Sequence, residues 1–276
     1  MKQKTIKDMI KPLKSLPENN TKGEIFKTGF AAIDEHIPIK TGSLNIIAGV
    51  RGMGKTDLAL NFVNNVTLDG GVGSVMFSNM YSYEVIEKLI HIRFEKDISE
   101  LGEGLIEKVE SIESAKFGVI NIQKYDFDKL LEKIYFLCGK GDKLFIIDDL
   151  KMLGEPHRTY GYEKQLKLLS GLARKMGIVI LLLVSLPNRD DERPCITDLS
   201  RVLNMDYVLC NVWFLYRKSY YNCIEDKTAE IIVSNGINGL NCPFDLHYDE
   251  CKFAVTLDYD LDNMKYTDIM DDELPF

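Results

Sequence analysis

The sequence predicts an α/β protein: a mostly parallel sheet flanked by helices, with antiparallel strands at one edge. Three observations predict it. A glycine-rich loop, Gly49-Val50-Arg51-Gly52-Met53-Gly54-Lys55-Thr56, sits between a strand-like run and a helix-like run. Apolar strands and amphipathic helices alternate from Thr28 onward. After Met205 the pattern changes to strands joined by short turns. Strands separated by helices imply βαβ crossovers and a sheet covered on both faces.

Along the chain, residues 1–27 read as a lysine-rich arm, with a short helix over Thr5 to Lys14, a break near Pro17 and a polar linker. Residues 28–257 form the α/β domain, and 258–276 form an acidic tail without apolar period, expected to be disordered. The expected strands are Leu44–Gly49, Ser74–Ser78, Gly118–Ile122, Leu144–Asp148 and Ile178–Val184, each an apolar run of strand length. The expected helices are Lys55–Asn65, Tyr83–Phe94, Ser99–Ser114, Asp126–Leu137 and Tyr162–Met176. Val208–Tyr216, Ala229–Ser234, Phe244–Tyr248 and Phe253–Leu257 follow without intervening helices and are expected to extend the sheet in antiparallel fashion.

Composition excludes several classes. No apolar run approaches the ~18 residues of a membrane span, and the N-terminus lacks an apolar signal core. Six cysteines are scattered without a CxxC pair, which fits free core thiols in a reducing cytoplasm rather than disulfides or zinc. The net charge of −8 is unevenly spread. Residues 258–276 carry seven acids against one lysine, and the first 28 residues carry seven lysines against three acids. The body between them is near neutral, so overall acidity does not exclude a nucleic-acid groove.

The spacing G-x-x-x-x-G-K-[ST] is that of a phosphate-binding P-loop. Gly49, Gly52 and Gly54 allow a tight turn whose N–H groups, with those of Arg51 and Met53, surround a β-phosphate. Lys55 reaches the β/γ oxygens, and the Thr56 hydroxyl ligates Mg²⁺. About 90 residues further on, Leu144-Phe145-Ile146-Ile147-Asp148-Asp149 is a buried strand ending in an acid. A parallel strand delivers that carboxylate to the edge where the P-loop sits, so Asp148 is a second Mg²⁺ ligand and Asp149 is expected at a cap or loop. ATP and Mg²⁺ are the implied cofactors. His36, His91 and His247 are expected to be packed or solvated, and Trp213 to lie in the core.

At this point the chain resembles the C-terminal motor domain of DnaB-type hexameric replicative helicases, within the RecA-like ATPases. The residues that carry the resemblance are Thr28-Gly29-Phe30-Ala31-Ala32-Ile33-Asp34, Gly52-Met53-Gly54-Lys55-Thr56 and Val75-Met76-Phe77-Ser78. Further on they are Ser185 with Asn188-Arg189, Arg193-Pro194 with Asp198-Leu199, Phe214-Leu215-Tyr216-Arg217 with Tyr220-Tyr221, and Ala229-Glu230-Ile231-Ile232-Val233 with Asn238-Gly239. The resemblance implies a RecA-like fold and a homo-oligomeric, hexameric ring with ATP between neighbours. Single-stranded DNA would run through the centre, held by the loops Lys151–Tyr162 and Pro187–Leu203. The cations there are Lys151, His157, Arg158, Arg189, Arg193 and Arg201, set against Asp190, Asp191 and Glu192. The arm resembles the family's interdomain linker, while its separate primase-binding N-terminal domain has no counterpart in these residues.

Four positions depart from the family. Met80 stands where the family's glutamate polarises the attacking water, a loss typically worth ~10²–10⁴-fold. Glu84, one helical turn on, is the remaining candidate base. Leu186 replaces the glutamine that senses the γ-phosphate. Asn235 and Ile237 replace the lysine and the arginine finger that act on the neighbouring site, a finger being worth ~10³–10⁵-fold. Gly52 replaces a serine without consequence. Groups that bind a triphosphate remain, and groups that act on the transition state are missing.

The chain ends Asp271-Asp272-Glu273-Leu274-Pro275-Phe276. This resembles the C-terminal tip of bacterial single-stranded-DNA-binding proteins, an apolar anchor with acids beside it, and implies replication or repair partners that recognise such a tip. The reading that unites these features is an ATP-binding, DnaB-like replication protein, cytoplasmic, with ssDNA as a partner and hydrolysis weakened or lost. The alternatives are a non-enzymatic replisome accessory or helicase loader docking through its tip, an active ssDNA-translocating helicase, and a P-loop kinase or signalling ATPase unrelated to DNA.

Overall fold

The computed structural model describes residues 23, 25–36, 38–68, 71–78, 80–100, 102–104, 107, 110, 117–149, 161–188, 193–200, 202–203, 211–222, 226–235 and 241–255. Of the expected arm, residues 23 and 25–27 are described, and Ile25–Phe26 pair as a short strand with Ile39–Lys40; the acidic tail lies outside these residues. Eleven strands are described: β1 (Ile25–Phe26), β2 (Ile39–Lys40), β3 (Ser43–Val50), β4 (Gly73–Phe77), β5 (Phe117–Asn121), β6 (Leu144–Asp148), β7 (Val179–Leu186), β8 (Asn211–Tyr216), β9 (Thr228–Asn235), β10 (Asn241–Asp249) and β11 (Lys252–Val255). The described helices are α1 (Ala31–His36), α2 (Lys55–Leu68), α3 (Ser82–Phe94), α4 (Phe127–Cys138), α5 (Tyr162–Met176), α6 (Ile196–Ser200) and α7 (Ser219–Asn222).

Nine strands form one sheet in the order β11-β10-β9-β8-β3-β7-β6-β4-β5. The six from β8 to β5 run parallel, and β9, β10 and β11 pair antiparallel. The fold expectation holds, with one boundary moved. The segment ending at Tyr216 was expected to open the antiparallel extension, yet β8 pairs parallel with β3 through Asn45↔Asn211 to Ala48↔Phe214. Its continuous run of buried residues, Val212 to Tyr216, marks an interior strand covered on both faces. The short α6 lies between β7 and β8, and α7 lies between β8 and β9, where no helix was expected. Of the expected helix over Ser99–Ser114, the first part is two 3₁₀ turns, Ile98–Glu100 and Gly102–Gly104, residues 107 and 110 are helical, and the rest falls outside the described residues.

Alternation along each interior strand divides the core in two. On one face, Ile47, Leu181, Leu183, Trp213 and Leu215 pack against Leu58, Phe62, Val85 and Leu89 of α2 and α3, with Phe244 and Phe253 of the antiparallel edge. On the other, Ile46, Ala48, Leu182, Phe145 and Phe214 pack against Leu130, Ile134, Leu166 and Leu169 of α4 and α5. Trp213 is fully buried and meets Phe62 edge-on at 5.7 Å. The amphipathic α4 starts at Asp126, whose carboxylate accepts the Lys129 N–H at 2.8 Å, the cap that ends the preceding loop.

The Thr28-to-Asp34 segment is structural. Asp34 accepts the Thr28 N–H at 2.7 Å and the Thr28 hydroxyl at 2.8 Å, and Asn65 of α2 donates to the Thr28 carbonyl at 3.0 Å. These bonds lash the entry of the domain to α2, the helix that follows the P-loop. No helix among the described residues is long and apolar enough to cross a membrane.

Replacing Trp213 by Ala should leave a cavity against Phe62 and lower unfolding stability by about 3–5 kcal/mol. Chemical denaturation of the two proteins measures it.

Candidate functional site

The parallel order places the C-terminal ends of β3, β4, β6 and β7 on one edge. At the end of β3 the chain turns through Arg51–Gly54 into α2, with φ of +83° at Gly52 and +101° at Gly54. Only residues without a Cβ take such angles at little cost, so the two glycines are required by the turn. Met53 is buried beneath the loop, whereas Arg51 and Gly52 face solvent. The loop closes on itself through Met53 N–H to the Val50 carbonyl at 3.2 Å, and α2 begins with Leu58 N–H to the Gly54 carbonyl at 2.9 Å.

Lys55 is buried, and its Nζ donates to the carbonyls of Gly49 and Val50 at 2.9 Å each. The ammonium is thus held inside the loop, within a side-chain rotation of its rim. The Thr56 hydroxyl donates to Asp148 Oδ2 at 2.6 Å. Strand β7 lies between β3 and β6, so the contact spans a full strand, and it brings together a hydroxyl and a carboxylate oxygen. Hard oxygen donors of this kind fit Mg²⁺, which takes few protein ligands and completes its octahedron with phosphate oxygens and water. Burial pushes the Asp148 carboxyl above its usual range, reinforced by Asp149 and Asp57 and opposed by the Thr56 bond and by Lys55.

Ser78, just past β4, donates its N–H to the Asp148 carbonyl at 2.8 Å, and its hydroxyl accepts the Asp149 N–H at 3.4 Å. The ends of β4 and β6 are therefore laced together. Asp149, the last described residue before residue 161, is buried there. Met80 is partly buried and packed against the first core cluster. Glu84 accepts the Tyr81 N–H at 2.6 Å, which places its carboxylate at the start of α3 as a cap. Leu186, at the end of β7, is buried in register with Val50 of the P-loop strand.

The DNA-loop candidates separate. Lys151, His157, Arg158, Arg189 and Arg201 lie outside the described residues, as do Ile237 and the tip from Asp271 to Phe276. Arg193 is described: its Nε and Nη2 donate to Glu230 at 2.7 and 2.9 Å, and its guanidinium lies 5.9 Å from the Tyr216 ring centroid. The bidentate pair ties the segment before α6 to β9, so this arginine is engaged within the fold.

Two residues at the site carry roles that sequence reasoning did not assign. Asp57 is buried in the first turn of α2 and ion-paired with Lys88 of α3 at 2.6 Å. Its position directly after Thr56 was the available signal. Arg217, quoted above only as part of a family string, donates from Nε to the Met53 carbonyl and from Nη2 to the Gly52 carbonyl, both at 2.9 Å.

A family model described as the DnaB-like helicase C terminal domain matches residues 26–254. Among solved structures, a single ATPase domain matches with a TM-score of 0.70 and 19% identity, covering 93% of this chain and all of that one. A DnaB-like replicative helicase, studied with its primase interactions, matches with a TM-score of 0.72 and 20% identity, covering 93% of this chain and 68% of that one. No curated protein matches the sequence. At these identities the structural likenesses speak for the fold.

Burial raises the Asp148 carboxyl in the folded chain above its value in the unfolded chain, so its ionisation opposes folding at neutral pH. That opposition vanishes once acid protonates both states. Asp148→Asn should therefore raise the melting temperature in magnesium-free neutral buffer, with the gain shrinking as the pH falls through the folded and then the unfolded value. Thermal denaturation across a pH series checks it.

Proposed function

We propose that this chain, which belongs to the DnaB-like helicase C-terminal domain family, is an ATP–Mg²⁺-binding replication protein that spends its nucleotide slowly. The observation that carries the reading is an asymmetry at the sheet edge. Lys55 at the loop carbonyls and the Thr56–Asp148 pair support nucleotide binding, while in the sequence Met80 stands where the resemblance implies a water-polarising carboxylate. A thioether accepts no proton, and a buried Leu186 offers no polar group to a γ-phosphate.

DnaB-like helicases form hexamers and work with primase and DNA, so the proposed setting is a ring with nucleotide at the subunit boundary. Asn235 and Ile237 would supply that boundary with no cation for the transition state. Contact with ssDNA is assigned to Lys151, Arg158, Arg189 and Arg201, with Arg193 joining only if its pair with Glu230 opens. The acidic tip Asp271-Asp272-Glu273-Leu274-Pro275-Phe276 favours a second role, docking onto replication or repair proteins whose pocket takes the terminal Phe and whose rim is basic.

Equilibrium titration with a fluorescent ATP analogue and Mg²⁺ should show binding that Lys55→Ala weakens by about 10–100-fold, the worth of hydrogen bonds to a charged group. Steady-state turnover should be slow and little stimulated by ssDNA, and Met80→Glu should raise it by about tenfold or more. Rapid ssDNA-stimulated turnover in the unmodified protein would sink the slow-hydrolysis reading.

A further inference from the structure

One surface of α4 presents an aromatic ring between two ammonium groups. Phe136 is 54% exposed and turned away from the core that Phe127, Leu130 and Ile134 of the same helix fill. Lys133, one turn earlier, places its Nζ 5.6 Å from the ring centroid, and Lys140 places its Nζ 4.6 Å from it. Lys140 is fixed there by the turn that closes α4. Its N–H donates to the Leu137 carbonyl at 2.9 Å, and the Asp142 N–H donates to the same carbonyl at 3.2 Å. Buried Asp142 in turn accepts the hydroxyl of Ser74 on β4. Neither ammonium is ion-paired among the described residues. Lys129, one turn before Lys133, faces Asp126 at 3.5 Å.

An apolar surface set between cations fits a segment whose apolar residues stand between acids. The sequence contains one: Asp268-Ile269-Met270-Asp271, within residues 258–276, which carry seven acids against one lysine. Reach allows the contact within one chain. The last described strand, β11, stops at Val255 on one border of the sheet, and α4 joins β5 to β6 in the half that ends at the other border. The sheet is about 38 Å wide at ~4.8 Å per strand step, whereas the 14 residues from Thr256 to Ile269 extend over ~48 Å. A tether of that length holds the segment at an effective concentration on the order of millimolar, which populates a shallow site that separate molecules would rarely fill. Single-stranded DNA is the other anionic chain with apolar faces. Asp128 and Glu132 run beside the lysines on the next stripe of α4. A uniformly charged phosphate chain is repelled there, whereas a peptide sets Ile269 and Met270 on the ring with an acid at each ammonium.

We propose that the Lys133–Phe136–Lys140 surface of α4 is a docking site for the acidic segment around Asp268–Asp271 of the same chain. Ile269 and Met270 cover the Phe136 ring, and Asp268 and Asp271 meet the two ammonium groups. The docked segment is withheld from other proteins, so the site competes with any partner that takes the acidic tip. That competition rests on the partner-docking reading above; the docking itself depends neither on it nor on nucleotide binding. Salt weakens the site, because the Debye length falls from ~10 Å at 0.1 M to ~3 Å at 1 M.

The test uses the full chain. Zero-length carbodiimide coupling in low salt, read by peptide mass spectrometry, should link Asp268 or Asp271 to Lys133 and Lys140, and about 1 M NaCl should remove the links. In a mixture of isotope-labelled and unlabelled protein, each link should join peptides of one isotope. Phe136→Ala keeps both lysines; it should lower the yield of links by about threefold or more and leave the melting temperature near its original value. Amides of residues 266–274 should exchange about threefold or more slowly in the unmodified protein than in Lys133→Glu/Lys140→Glu. Adding Asp268→Lys/Asp271→Lys to that double variant should restore slow exchange, because the two charge reversals compensate. Links that join different isotopes, or exchange of residues 266–274 indifferent to Lys133→Glu/Lys140→Glu, overturn the proposal. Absence of links together with loss of oligo(dT) binding in Lys133→Glu/Lys140→Glu gives the surface to single-stranded DNA and overturns it as well. Failure of the acidic tip to bind replication or repair proteins removes the partner reading and the competition with it.

Discussion

The 2.6 Å bond from the Thr56 hydroxyl to Asp148 is the contact on which the rest of the architecture converges. It joins residues 92 positions apart and crosses the width of β7. To make it, β3, β7 and β6 must run parallel in a fixed register. The register supplies this: β3 and β7 pair from Ser43↔Val179 to Val50↔Leu186, and β7 meets β6 from Leu144↔Val179 to Ile147↔Leu182. Parallel strands need long crossovers, so both faces need helices, and both faces of the interior strands must then be apolar. The two core clusters are that requirement met. A one-residue slip of β6 would exchange its inward and outward sets and point the Asp148 side chain away from the loop.

The electrostatics of the edge follow from the same crowding. Asp57, Asp148 and Asp149 gather at this edge, and the charges of Asp149 and Asp57 add to the cost of ionising Asp148. The fold answers Asp57 with Lys88 and the Tyr248 hydroxyl, and answers Asp148 with the Thr56 hydroxyl and the charge of Lys55. Arg217 spends its donors on backbone carbonyls of the loop. Lys55 and Arg217 are thus engaged in holding the loop, which suits a cradle. Fast phosphoryl transfer would ask in addition for groups whose bonds strengthen only in the transition state.

Much of this was legible in the sequence, and the limits have physical causes. The P-loop and the strand ending in Asp148 were readable because local chain chemistry defines them: glycines at fixed spacing, an apolar run ended by an acid. α5 begins and ends where its periodicity does, at Tyr162 and Met176. β8 was misjudged because strand direction is decided by a partner distant in sequence, and a run such as Val212–Tyr216 does not encode which neighbour it meets. Its unbroken apolarity was the signal for an interior position. The Arg193–Glu230 pair and the Asp57–Lys88–Tyr248 group were hidden for the same reason. Each joins residues that are ordinary in their own segments and acquire a role only when β9 and β10 fold back beside the parallel strands.

That folding back explains why the antiparallel edge is more than a border. A sheet that stopped at β8 would leave the carbonyl side of the loop and the apolar side of α2 exposed to water. β10 and β11 cover both, through Tyr248 and Phe253 against Gly54 and through Asn61 of α2, which donates to the Cys251 carbonyl at 3.0 Å and accepts the Phe253 N–H at 3.2 Å. The same two strands are the last described elements before the acidic tail. Any change in the loop's carbonyl positions meets Arg217, which lies between the loop and the Tyr248 ring. Close-packed contacts transmit such shifts instead of absorbing them, so a movement of the loop is felt at Tyr248 on β10.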